Sequence, residues 1–142
     1  MSCQSISVDG LRLLIIDNHA DSRELLKIFF EAEGSEVKTV ASFSNALNII
    51  LHFQPDILIS EIYLPDEAAH SLLPEIRNLE AKRGKYIPAI ALTSFTTDED
   101  RVYALKAGFQ MYLSKPIDLD ELAYLVANLS RSKQLNAPIF RY

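Results

Sequence analysis

Five short apolar runs, each leading into a segment of helical period, organise the chain and leave few architectures open to it. LRLLII (11–16), EVKTV (36–40), DILIS (56–60), YIPAIAL (86–92) and MYL (111–113) have the length and composition of strands. The segments between them have the marks of helices. A helix over 21–33 is expected to carry Leu25, Phe29 and Ala32 on one face and to stop at Gly34. Ser42 caps a second, whose stripe is Phe43, Ala46, Leu47 and Ile50 and which ends before Pro55. A third carries Leu72, Leu73, Ile76 and Leu79, with Pro74 in its first turn and Gly84 at its end. The fourth spans about 97–107 and stops at Gly108, and the last shows Leu119, Leu122, Val126 and Leu129 on one face.

Strand and helix alternating in this way call for parallel strands joined by helical crossovers, so the expected class is α/β. It is a small doubly wound, five-stranded parallel sheet with helices on both faces. At 142 residues and 49% hydrophobic content the chain fits one domain with a sizeable core. The expected division is an N-terminal extension (1–10), the domain itself (11–132) and a C-terminal tail (133–142). A net charge of −5, with Lys82, Arg83 and Lys85 as the most basic cluster, argues against a nucleic-acid partner. The single cysteine, Cys3, permits no intrachain disulfide, and every apolar run falls short of the roughly 20 residues that cross a membrane. No signal peptide is read at the start, so the expected location is the cytoplasm.

In a doubly wound sheet chemistry gathers at the carboxyl ends of the strands, near the point where strand order reverses. Those ends carry Asp17-Asn18-His19, Glu61, Thr93-Ser94 and Ser114-Lys115-Pro116. Any one polar residue leaving a buried strand is commonly solvated or a helix cap. Two carboxylates, an amide, a hydroxyl and an ammonium at one end of one sheet form a pattern. His19 and His70 have no partner at metal-ligand spacing in the sequence and read as loop histidines, and His52 reads as structural.

The segments LLIIDNHADSREL, PDILISEIYLP, IPAIALTS and KAGFQMYLSKPID, in this order, resemble the receiver domains of two-component response regulators. The resemblance runs from about Leu11 to Leu129. It implies a flavodoxin-like strand order, 2-1-3-4-5, and a phosphorylation switch. It also implies roles. Asp17 matches the first of two metal-binding acids, and Asn18 replaces the second. Glu61 stands where such domains carry the aspartate that accepts a phosphoryl group from a histidine kinase. Thr93 and Lys115 match the phosphoryl contacts, Tyr112 the switch aromatic, and the carbonyl of Tyr63 the main-chain metal ligand. The bond before Pro116 is usually cis in the family. Glycine is also missing from the stretch PDEAAHSLLP, where typical receivers have one.

The replacements predict altered chemistry. Asp17, Asn18 and Glu61 supply two charges where the family has three, so Mg²⁺ is expected to bind weakly and no cofactor tightly. An additional methylene displaces the attacking oxygens, and a misplacement of ~1 Å costs on the order of 10²-fold in rate. The longer side chain is expected to reach toward Lys115 and Thr93, fixing one signalling state. The leading expectation is a stand-alone atypical receiver, not an enzyme, that signals through protein contacts. Its partners would be a signalling protein such as a sensor histidine kinase, or a second copy across a face bearing Arg101, Tyr103, Lys106, Asp118 and Tyr124. The alternative is a phosphorylatable regulator that uses Glu61 or another acid with a kinase partner. A flavin carrier on the same fold would need a Gly-, Ser- or Thr-rich phosphate cradle after the first strand, where this chain has Asp17, Asn18 and Asp21.

Overall fold

Side chains alternate in direction residue by residue along the central strands, which places one apolar set on each side of the sheet. The computed structural model describes residues 7–62, 74–78, 80, 81, 84, 86–94 and 97–132. Its elements run β1 (Arg12–Ile16), α1 (Ala20–Ala32), β2 (Glu36–Val40), α2 (Phe43–Phe53) and β3 (Ile57–Glu61). There follow α3, helical at 74–78 and 80–81, then β4 (Ala89–Thr93), α4 (Asp98–Ala107), β5 (Met111–Ser114) and α5 (Leu119–Ser132). The strands pair in parallel in the order β2-β1-β3-β4-β5. This is the flavodoxin-like topology expected for the chain.

Leu14, Ile16, Leu58, Ala89 and Ala91 point to one side and pack with Ala46, Ile50 and Phe53 of α2, Ile76 of α3 and Ala104 of α4. Leu13, Ile15, Ile57, Ile59, Ile90 and Leu92 point to the other, against Leu26 and Phe30 of α1 and Leu122, Val126 and Leu129 of α5. With both faces covered, every residue of β3 and β4 is buried. The helix limits read at Ser42 and Gly108 hold, and a capping box opens α4. Ser42 Oγ accepts from the Asn45 N–H at 3.3 Å, Thr97 and Asp100 form a capping box, and Gly108 closes α4 at φ 104°.

Two readings need correction. The buried face of α1 consists of Leu26 and Phe30; Leu25 is 54% exposed and Ala32 is exposed. Positions 25 and 29 have the same four-residue spacing as 26 and 30, and the seating of the helix on β1 and β2 selects the second pair. The fourth strand begins at Ala89 rather than at residue 86. The Ile87 N–H donates to the Glu80 carboxylate at 2.5 Å instead of a neighbouring strand, and Pro88 has no N–H to give.

The same corner is tied together by Arg77 of α3. Its guanidinium donates to the Ile87 carbonyl at 2.9 Å and the Gly108 carbonyl at 3.0 Å, pairs with Glu80, and lies over the Tyr86 ring. This clasp sits where the strands begin, at the opposite end of the sheet from Glu61. Before β1, Val8 is buried against the α1 side of the core, and its carbonyl accepts from Ser35 Oγ at 2.8 Å. Tyr63, His70, Leu72, Leu73 and the rest of PDEAAHSLLP before Pro74 lie outside the described residues, as do Cys3, Leu79, Lys82, Arg83, Lys85 and the tail from 133.

Candidate functional site

Parallel strands in register end together, and that brings distant residues side by side. Asp17 directly follows β1, and its N–H donates to the Val40 carbonyl of β2 at 3.1 Å, which carries the ladder one residue past the strand. Glu61 is the last residue of β3, Thr93 of β4 and Ser114 of β5. The Lys115 N–H donates to the Thr93 carbonyl at 2.7 Å, so the lysine leaves β5 beside β4, and the Lys115–Pro116 peptide is cis. Thr93 is fully buried, Asp17 is 1% exposed and Glu61 5%.

The Lys115 ammonium closes this end of the sheet. Its Nζ donates to Asp17 Oδ2 and to Glu61 Oε1, each at 2.9 Å. Glu61 Oε2 also accepts from the Ile62 N–H at 3.2 Å, and Asp17 Oδ1 from the His19 N–H at 2.9 Å. The His19 ring Nδ1 lies 3.2 Å from that same Oδ1, and Arg23 donates to the Asp17 carbonyl at 2.8 Å. Two nearly buried carboxylates thus share one ammonium, and all four of their oxygens carry a donor. The reach of Glu61 to Lys115 expected from side-chain length is present. Asn18 is exposed and takes no part in these bonds.

Burial opposes the charge on Lys115, but hydrogen bonds to Asp17 and Glu61 and the charges of both outweigh it, so the ammonium is held above its ordinary value of 10.5. A raised lysine contributes stability that is complete below its unfolded value and is lost as pH rises through the folded one. The natural chain should therefore keep its stability advantage over Lys115→Met up to about pH 10 and lose it above. Urea midpoints for both proteins should converge in strong alkali, and parallel curves there would contradict the bridge. Taking the difference cancels the alkaline contribution of Tyr86 and Tyr112, whose hydroxyls burial also pushes up.

The resemblance implies Mg²⁺, which requires near-octahedral oxygen coordination and favours charged ligands. Among the described residues the pocket offers two carboxylates already bridged by an ammonium, with an exposed amide at position 18. That set is a poor match for Mg²⁺. Tyr112 lies on β5, two residues before Ser114. It packs against the α2 side of the core, and burial together with the Asp100 charge, against the opposing charge of Arg101, raises its hydroxyl.

The residue missed by sequence reasoning is His19. The turn that caps Asp17 returns the ring to its carboxylate, so that one ligand atom each from His19, Asp17 and Glu61 lie within 4.8 Å of one another, while the ring stays 63% exposed as a loop histidine does. The available signal was the Asp-x-His spacing at a strand end.

A family model described as the response regulator receiver domain matches residues 13–127. An uncharacterized 14.6 kDa protein in the sodA1 3′ region of Leptolyngbya boryana is 37% identical over 114 residues, covering 80% of this chain and 86% of its own. Response regulator Rre1 of Synechocystis is 30% identical over 130 residues, which are 91% of this chain but 55% of that protein. The chain therefore spans about half the length of that relative. Among solved structures, a CheY-like receiver domain protein from Methanospirillum hungatei JF-1 superposes with a TM-score of 0.80 at 24% identity, covering 91% of this chain and all of its own. A putative response regulator from Chloroflexus aurantiacus J-10-fl gives 0.78 at 29% identity, covering 87% of this chain and 99% of its own.

Proposed function

Because the chain belongs to the response regulator receiver domain family, we propose that it is an atypical receiver of two-component signalling, with Glu61 at the phosphoacceptor position. It signals through protein contacts without the standard aspartyl phosphorylation cycle. One observation carries this reading: Lys115, the phosphoryl-contact equivalent, is already engaged by Glu61 and Asp17 at 2.9 Å. The glutamate places an oxygen on the ammonium that would otherwise receive a phosphoryl group, and the domain is held in one state. Mg²⁺ binds weakly at a pocket short of one acid, and in-line transfer to a carboxylate displaced by a methylene is slow.

Partners follow from the family and the surface. A sensor histidine kinase or another signalling protein docks on the domain, in the cytoplasm. A second copy is a further candidate across the face of α4, β5 and α5, where Lys106, Asp118 and Tyr124 are exposed and Arg101 and Tyr103 partly so. Mixed charge with aromatics suits a modest polar interface.

The test has two arms. Incubation with a small-molecule phosphodonor and Mg²⁺, followed by intact-mass measurement, should leave the mass unchanged. A phosphate mapped to Glu61 would instead favour a phosphorylatable regulator. In the second arm, Glu61→Gln removes one charge from the bridge and should shift both the Tyr112 ring signals in NMR spectra and the affinity for a bound partner. If both stay as in the natural chain, Glu61 does not lock the domain.

A further inference from the structure

Strand β2 forms one edge of the sheet. The Glu36 N–H donates to the Leu11 carbonyl and the Val40 carbonyl accepts from the Asp17 N–H, so residues 36, 38 and 40 turn their peptide groups toward β1. Val37 and Thr39 turn theirs outward. Among the described residues nothing bonds to those outward N–H and C=O groups, and such an edge is a template for another strand. The side chains of Glu36 and Lys38 share the face on which Val40 meets Phe53 of α2, and both are exposed. Lys38 has no ion-pair partner among the described residues, and the Glu36 carboxylate stands 3.6 Å from Arg12 Nε.

We propose that β2 pairs antiparallel with β2 of a second copy, about a two-fold axis through Val37, so that two five-stranded sheets become one of ten strands. The charges select this register. In a symmetric pair the outward-facing residues stand opposite one another, which allows Val37 against the partner's Val37, Val37 against the partner's Thr39, or Thr39 against the partner's Thr39. The first sets Glu36 against the partner's Lys38, twice by symmetry, at the positions where cross-strand side chains come closest. The second sets Lys38 against the partner's Lys38. The third sets Lys38 against the partner's Val40 and Glu36 against the partner's Ser42, so neither charge is answered. A lysine on an edge ordinarily deters pairing, and here a second copy is the strand that supplies its acid. The pairing is isologous and closes at two copies. Five residues per copy make a weak, transient contact, below the roughly 1,200 Å² at which standard interfaces begin. β5 lies at the other edge, so the face of α4, β5 and α5 stays free. This inference and the reading of Glu61 do not depend on each other.

Sedimentation of the full chain over a range of concentrations should show a reversible dimer, and hydrogen exchange should show the Val37 and Thr39 amides gaining protection as concentration rises. Lys38→Glu and Glu36→Lys each turn both opposed pairs into like-charge pairs, and each should weaken the dimer about tenfold or more. Mixed together, the two variants regain opposed pairs and should associate with each other as the natural chain does with itself. Both positions are exposed, so the variants keep the fold, which a circular dichroism spectrum checks. Arg101→Glu on α4 should leave the dimer unchanged. The proposal fails if the chain stays monomeric, if either β2 variant dimerises as the natural chain does, or if the mixture does not associate. A dimer lost in Arg101→Glu and kept in Lys38→Glu would assign self-association to the α4 face instead.

Discussion

Lys115→Met should cost about 3 kcal/mol at neutral pH, because it leaves two buried carboxylates facing each other without their shared cation. For a domain of this size that corresponds to a fall in Tm on the order of 10 °C. Asp17 at 1% exposure and Glu61 at 5% have little access to water that could replace the ammonium. The lysine itself is 15% exposed, so the pair is not the kind of surface contact that solvent screens away. Adding Glu61→Gln to the lysine variant should recover part of the loss by removing one of the stranded charges. The recovery identifies charge, rather than lost packing of the lysine stem, as the cause. Scanning calorimetry of the two variants measures both quantities. A Lys115→Met chain that melts within a degree or two of the natural one would show that the bridge carries no weight.

The second large effect is a gain of chemistry. Asn18→Asp combined with Glu61→Asp restores the third acid and shortens the acceptor by one methylene. Incubated with a small-molecule phosphodonor and Mg²⁺, the double variant should form acyl phosphate on the order of 10²-fold faster than the natural chain. Each change alone should give less, because one repairs the metal ligand set and the other the line of attack. Intact mass over time follows the product, and mapping to position 61 confirms the acceptor. If the double variant gains nothing, then Thr93, Lys115 or the stretch after Ile62 must also depart from a working receiver pocket, and the account given for Glu61 is insufficient.

Much of this was legible because strand ends in a parallel sheet are set by local pattern. Asp17, Glu61 and Lys115 each directly end or follow an apolar run, so their convergence needed only the strand order. Ser42 and Gly108 marked helix limits through bonds made within a few residues. What escaped depended on packing between elements. Leu25 with Phe29 and Leu26 with Phe30 fit a helical stripe equally well, and only contact with the sheet tells them apart. The start of β4 was set by Glu80, which intercepts the Ile87 N–H from across a turn. His19 escaped because its partner carboxylate faces inward, while the ring itself lies in water.

The Asp17–Lys115 contact joins residues 98 positions apart. A chain growing from a ribosome presents Asp17 and Glu61 long before Lys115 has been made, and until then the first four strands can close their ends only around uncompensated negative charge. Burial of those acids is therefore tied to the arrival of β5, which delays completion of this end of the sheet until Lys115 has been made. The Asp17, Glu61 and Lys115 cluster thus forms only once all five strands are in place.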